Sequence, residues 1–331
     1  MRFRSDPGTI RGSIAPLVSP FTAAGEPDLE ALRSLIRWQL ESGSHGISLG
    51  GSTGEPSAQT TAERAAAIKT AAAEIGDRVP FVPGTGSAKL DETLELTATA
   101  REAGADAVLV ITPYYARPTQ EGLYQWYARV AGEFPDLPVI VYNVPTRTAV
   151  DITPDTIARL RKAHDNIVGV KETTKDFEHF SRVLDAAGTD TLLWSGIELL
   201  CLPLLSLGGA GFVSATANLA PAATARIYDH WVAGEFDKAR ELHFGLHPVT
   251  DVIYTETNPA AAKWVLAQAG LIGSGFVRPP LVPLTEAGQA TARRLLRAGA
   301  PVLDDPVATV AVYSREGEAT HPFGRRLETR P

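Results

Sequence analysis

The residue with the most pointed chemistry is Lys171, in the stretch Asn166-Ile-Val-Gly-Val-Lys-Glu-Thr-Thr174. It follows an apolar, β-branched run that reads as a buried strand. A buried ammonium is expensive to keep charged, and the neutral amine is a nucleophile that can capture a ketone as a Schiff base. The same lysine could instead snorkel past the strand end to a surface carboxylate. Three other stretches offer it company. Gly50-Gly-Ser-Thr-Gly-Glu55 sets the hydroxyls of Ser52 and Thr53 beside free N–H groups, which suits a carboxylate or phosphate, although a plain turn has the same composition. Thr112-Pro-Tyr-Tyr-Ala-Arg-Pro118 and Tyr142-Asn-Val-Pro-Thr-Arg147 bring tyrosines. A phenol can pass a proton when a neighbour eases its ionisation; it can equally be packing with a satisfied hydroxyl. Arg147 offers a fork for a second carboxylate.

These groups are useful only if the chain brings them together. Strand-like apolar runs fall at 14–21, 46–50, 79–84, 107–113, 138–143, the run ending in Lys171, 191–195 and 211–216. Segments with helical spacing separate them, the first capped by Asp28 and carrying Leu32, Leu35, Ile36 and Leu40. Eight strand–helix pairs within about 235 residues predict an α/β fold, a (β/α)8 TIM barrel, with a doubly wound open sheet as the competing architecture. In a barrel, reactive groups gather at the carboxyl ends of the strands, where all four stretches fall. Past residue 234 the pattern is wholly helical. The expected division is an arm at 1–10, the barrel at 11–234, a C-terminal helical cap at 235–299 and a loosely packed tail at 300–331.

Composition narrows the partners. The 331 residues are 44% hydrophobic and 21% charged, with a net charge of -7 and no long basic run, which argues for a small solute and against nucleic acid. No run of about 18 apolar residues is present, so no membrane span is expected. Cys201 has no cysteine to pair with and the N-terminus lacks a signal-peptide core, so a cytoplasmic location is expected. His243 and His247 stand four apart without an acidic residue between them, and no metal is expected. Gly84-Thr-Gly86 lacks the third glycine of a dinucleotide fingerprint.

Taken together, Gly51-Ser-Thr-Gly-Glu55, Thr112-Pro-Tyr-Tyr115, Tyr142-Asn-Val-Pro145, Gly169-Val-Lys-Glu172 and Asn258-Pro259 resemble the dihydrodipicolinate synthase and N-acetylneuraminate lyase family of pyruvate-dependent class I aldolases. The resemblance covers residues 10–295. It implies that Lys171 forms the Schiff base with pyruvate, and that Ser52 and Thr53, in the turn opened by Gly51, hold the pyruvate carboxylate. It makes Tyr142 the general acid/base and Tyr115 the tyrosine that enters a neighbouring subunit's site, relaying protons through Ser52. Val213 matches a position whose backbone lines the pyruvate pocket. The resemblance further implies a homotetramer, no cofactor beyond the covalent imine, and a 2-oxo acid and an aldehyde as substrates. Arg147 resembles the arginine with which the synthase branch grips its aldehyde's carboxylate.

Two departures bear on the substrate. Ser195-Gly-Ile-Glu198 stands where the synthase has Ser-Gly-Asp-Asp, so Ile197 takes a polar place. The stretches around Glu198 and Ala217-Asn-Leu-Ala-Pro221 look more like a side branch of 2,4-dihydroxyhept-2-ene-1,7-dioate aldolases, which implies cleavage of a 4-hydroxy-2-oxo diacid to pyruvate and succinic semialdehyde. That is the expected function. The alternatives are 4-hydroxy-tetrahydrodipicolinate (dihydrodipicolinate) synthase, condensing pyruvate with aspartate semialdehyde, and a non-catalytic barrel that binds an oxo acid. Thr61 and Ala88 stand where lysine-regulated synthases carry His and Asn, so no feedback by lysine is expected.

Overall fold

The computed structural model describes residues 2–313. Seven strands are regular: β1 Gly12–Pro16, β2 Gly46–Ser48, β3 Val108–Ile111, β4 Val139–Asn143, β5 Ile167–Glu172, β6 Leu192–Ser195 and β7 Gly211–Phe212. All pair in parallel, in the order β2-β1-β7-β6-β5-β4-β3. The segment 80–84 joins the two outer strands. On one side Ile47 N donates to Pro80 O at 3.0 Å and Val82 N to Ile47 O at 2.9 Å; on the other, Leu109 N donates to Pro83 O at 2.9 Å and Thr85 N to Leu109 O at 3.0 Å. Two prolines without N–H groups make this ladder intermittent, yet it occupies the third of eight places. The sheet is therefore a closed TIM barrel and not an open one.

Alternation along the strands divides the packing. Val139 and Val141 face the outer helices. Ile140 and Tyr142 face the interior with Ile14, Leu109, Leu192 and Trp194. Several helices begin where a side chain satisfies an orphan N–H: Asp28 accepts from Ala31 N, Thr119 from Gly122 N, Thr153 from Thr156 N, and Thr60 forms a capping box with Glu63. Each such cap contributes about 1 kcal/mol.

The described parts of both terminal segments pack better than expected. The arm is not loose: Arg2–Ser5 is helical, Phe3 and Ile10 are buried in the interior cluster, and Arg4 Nε donates to Ala105 O at 2.9 Å. The barrel floor is apolar and must be covered from water, and the arm covers it. The cap consists of helices Phe236–Gly245, His247–Ile253, Ala260–Gln268 and Glu286–Gly299. The first two of these divide at His247-Pro248, where proline supplies no N–H to continue the ladder. The tail expected to be loose from residue 300 is ordered in its described part, because the helix Val307–Tyr313 buries Val307 and Ala311 in the cluster of Val249, Leu266, Ala292 and Leu296. Residues 314–331 lie outside the described part. No described helix is long and apolar enough to cross a membrane.

Candidate active site

The register of the sheet places Lys171 of β5 between Tyr142 of β4 and Trp194 of β6. Lys171 is 5% exposed, and its Nζ lies 4.1 Å from the centre of the Tyr142 ring. The Tyr142 hydroxyl in turn lies 3.2 Å from Ser52 Oγ, so amine, phenol and alcohol converge at the carboxyl ends of β5 and β4 and the turn after β2. Gly196, just past β6, leaves room for Thr173 and for the lysine: a Cβ there would meet Thr173 Cγ2 first and would lie 2.8 Å from Lys171 Cε.

The hydroxyl turn is held from beneath. Gly50 enters it at φ 68, a backbone conformation that glycine adopts without strain. Thr53 Oγ1 accepts from Asn258 Nδ2 at 3.0 Å, which ties the turn to the helical cap. Glu55 leaves the turn at φ 52, and its carboxylate accepts from Lys263 Nζ at 2.6 Å and Arg278 N at 2.8 Å. Lys263 Nζ and the Arg278 guanidinium sit over the Phe21 ring at 4.1 and 4.4 Å. Burial lowers the Lys263 pKa from its ordinary value, and the Glu55 carboxylate opposes that shift.

Glu172 follows Lys171 but points away from it, as strand alternation requires. Its carboxylate accepts from Thr173 N, Thr174 N and Asn143 Nδ2 at 2.9, 2.8 and 2.9 Å. His179 Nε2 lies 3.2 Å from Glu172 Oε2. That contact is the main cause raising the His179 pKa. Val213 is buried in the barrel interior, its N donating to Ser195 O at 2.8 Å.

The structure therefore brings Lys171, Tyr142 and Ser52 together, with Gly51, Thr53 and Val213 on the supporting walls. It does not bring Tyr115 and Arg147 into that cluster. Tyr115 is held at φ 70 and is 95% exposed, projecting from the loop after β3. Arg147 lies exposed on the short helix Pro145–Thr148. Several supporting residues carried no role in the sequence reading: Gly196, Lys263, Glu55 and Tyr254. The Tyr254 hydroxyl donates to Glu198 Oε2 at 2.9 Å, and Ala215 N donates to Glu198 Oε1 at 2.9 Å. Burial pushes the Glu198 carboxyl upward.

A closed parallel barrel with an amine, a phenol and an alcohol converging at its carboxyl-end mouth has the architecture of a Schiff-base lyase. The profile of the Dihydrodipicolinate synthetase family matches residues 9–299. The 4-hydroxy-tetrahydrodipicolinate synthase of Thermus thermophilus is 47% identical over 286 residues, covering 86% of this chain and 95% of its own. That of Alcanivorax borkumensis is 42% identical over 288 residues, covering 87% and 97%. Among solved structures, the dihydrodipicolinate synthase of Aquifex aeolicus superposes with a TM-score of 0.85 at 35% identity, over 89% of this chain and 100% of that one. The Thermotoga maritima enzyme gives 0.84 at 35% identity, over 88% and 99%. The chain belongs to the dihydrodipicolinate synthetase family and is a class I, pyruvate-dependent lyase.

Proposed function

We propose that this lyase is a 4-hydroxy-tetrahydrodipicolinate synthase, condensing pyruvate with aspartate semialdehyde through an imine on Lys171. The observation that carries the reading is the convergence of Lys171 Nζ, the Tyr142 ring and Ser52 Oγ. The names of the relatives favour this activity over the diacid aldolase expected from the sequence.

The pyruvate carboxylate docks at the turn of Gly51, Ser52 and Thr53, and the backbone at Val213 lines the opposite side. The Lys171 amine attacks the ketone carbon. Tyr142 delivers a proton to the departing hydroxyl, water leaves, and an iminium remains. Loss of a methyl proton gives the enamine, which attacks the aldehyde carbon while a proton returns to the new alkoxide. Ser52 links Tyr142 to the next proton carrier, and Tyr115 supplies that carrier from a neighbouring copy. Its near-complete exposure within one chain supports this role, and with it a homotetramer. Arg147 meets the aldehyde's carboxylate. The imine itself is the electron sink, so the reaction needs no separate cofactor or metal, and we place the enzyme in the cytoplasm.

A second reading keeps the imine and takes succinic semialdehyde as the aldehyde; Ile197, apolar where the synthase has Asp, favours it. Reduction with borohydride in the presence of pyruvate tests the shared chemistry. Mass spectrometry should find one reduced pyruvate unit on Lys171, and an unmodified lysine at saturating pyruvate refutes both readings together with the mechanism.

A further inference from the structure

Glu198 is a buried carboxylate with an unusual set of neighbours. Its two oxygens lie 2.9 Å from the Tyr254 hydroxyl, 2.9 Å from Ala215 N and 3.3 Å from Ser214 Oγ, three groups that can each donate to a carboxylate. Among the described residues no Lys, Arg or His forms an ion pair with it. Its two oxygens are satisfied by hydrogen bonds, and the charge of Lys171 reaches it without a direct contact.

Tyr254 carries that charge toward the mouth. It closes the helix His247–Ile253 and stands four residues before Asn258, which binds Thr53 of the hydroxyl turn. The side chain is 49% exposed. Burial and the Glu198 carboxylate raise its hydroxyl pKa, with Tyr142 adding to the effect from across the site. Because its one hydrogen is donated to Glu198, the Tyr254 oxygen offers only lone pairs to an incoming ligand.

We infer that the Tyr254–Glu198 pair is a specificity element for the ammonium group of the acceptor aldehyde, rejecting aldehydes that carry a methylene in its place. The inference rests on the condensation proposed above. There Arg147 takes the acceptor's carboxylate; here a lone pair backed by a buried negative charge takes its amine. The two together recognise an α-amino acid that ends in an aldehyde. Ile197 then needs no polar partner, because the recognition it would have supplied comes from the cap helix.

The test compares aspartate semialdehyde with succinic semialdehyde, following pyruvate consumption by the full-length enzyme and by Glu198→Gln and Tyr254→Phe. Glutamine keeps the shape of Glu198, but its amide donates to the Tyr254 oxygen, so the phenol hydrogen turns outward and opposes an ammonium. Phenylalanine removes the oxygen outright. Each variant should lower the ratio of kcat/KM for the amino aldehyde over the desamino aldehyde by about tenfold or more, the size of one hydrogen bond to a charged group. A purely structural role would depress both aldehydes alike and leave the ratio unchanged, and that result overturns the inference. So does a wild-type enzyme that captures pyruvate on Lys171 yet shows no preference between the aldehydes. Failure of wild-type capture sinks the underlying reaction as well, which distinguishes the two failures.

Discussion

The hydroxyl turn depends on an ion pair that the sequence separates by 208 positions, and Lys263→Met puts a magnitude on it. Lys263 Nζ lies 2.6 Å from Glu55 Oε1, with the two side chains 0% and 1% exposed. Methionine replaces the aliphatic stem closely, so the lost volume is small and the change is mainly electrostatic. What remains is a buried Glu55 carboxylate with Arg278 N as its other hydrogen-bond donor. Removing one partner of a buried pair costs about 3–5 kcal/mol, because the remaining charge is stranded away from water. The measurement is urea unfolding of the variant against wild type, followed by circular dichroism. Adding Glu55→Gln removes the stranded charge while its amide oxygen still accepts from Arg278 N, so the double variant should recover about half of the loss or more. Pyruvate KM should rise in the single variant, since Glu55 closes the turn that carries Ser52 and Thr53. A loss below about 1 kcal/mol, or a double variant no more stable than the single one, refutes the view that this pair holds the turn.

Three further perturbations separate the roles of neighbouring residues. Gly196→Ala sets a methyl against Thr173 Cγ2 and 2.8 Å from Lys171 Cε, crowding both residues at the end of β5, and should cut borohydride capture of pyruvate at least about tenfold with the far-UV spectrum retained; undiminished capture refutes the close approach. The contact with Glu172 raises His179 above its ordinary 6.5, so His179 contributes stability that is complete below that pH and fades as pH rises through the higher folded value. His179→Gln should flatten this decline in unfolding free energy, and an unaltered pH profile would falsify the linkage. Finally, Thr61 and Ala88 offer neither an imidazole nor an amide, so free lysine should leave turnover unchanged; half-maximal inhibition at sub-millimolar lysine overturns that expectation.

The fold was legible wherever one local period set the answer. Alternating apolar runs and capped helical segments marked the barrel, and the end of each run marked where chemistry would gather. The third strand shows the limit of this signal, since Pro80 and Pro83 interrupt the ladder while the hydrogen bonds on either side still close the barrel. The arm and the described part of the tail depart from expectation for a different reason. Phe3, Ile10, Val307 and Ala311 are single apolar residues whose burial depends on surfaces made by distant parts of the chain, and no local pattern records such a surface.

The same division runs through the site. Lys171, Tyr142 and Ser52 are each announced by a short motif, because each stands at the end of its own strand or in the turn that follows it, and its local sequence must build that end. Their supports are not announced. Lys263 and Asn258 belong to the cap, yet they hold Glu55 and Thr53 of the turn after β2. Tyr254 belongs to the cap as well, and it holds Glu198 of the loop after β6. A turn rich in glycine and small hydroxyls has little packing of its own, so its geometry has to be imposed by groups with buried partners. The cap supplies those groups at three points around the mouth. It follows that a barrel deprived of residues 235–299 would keep its strand-end motifs but lose the anchors that fix their spacing. Pyruvate capture should then fail even where the parallel sheet still forms.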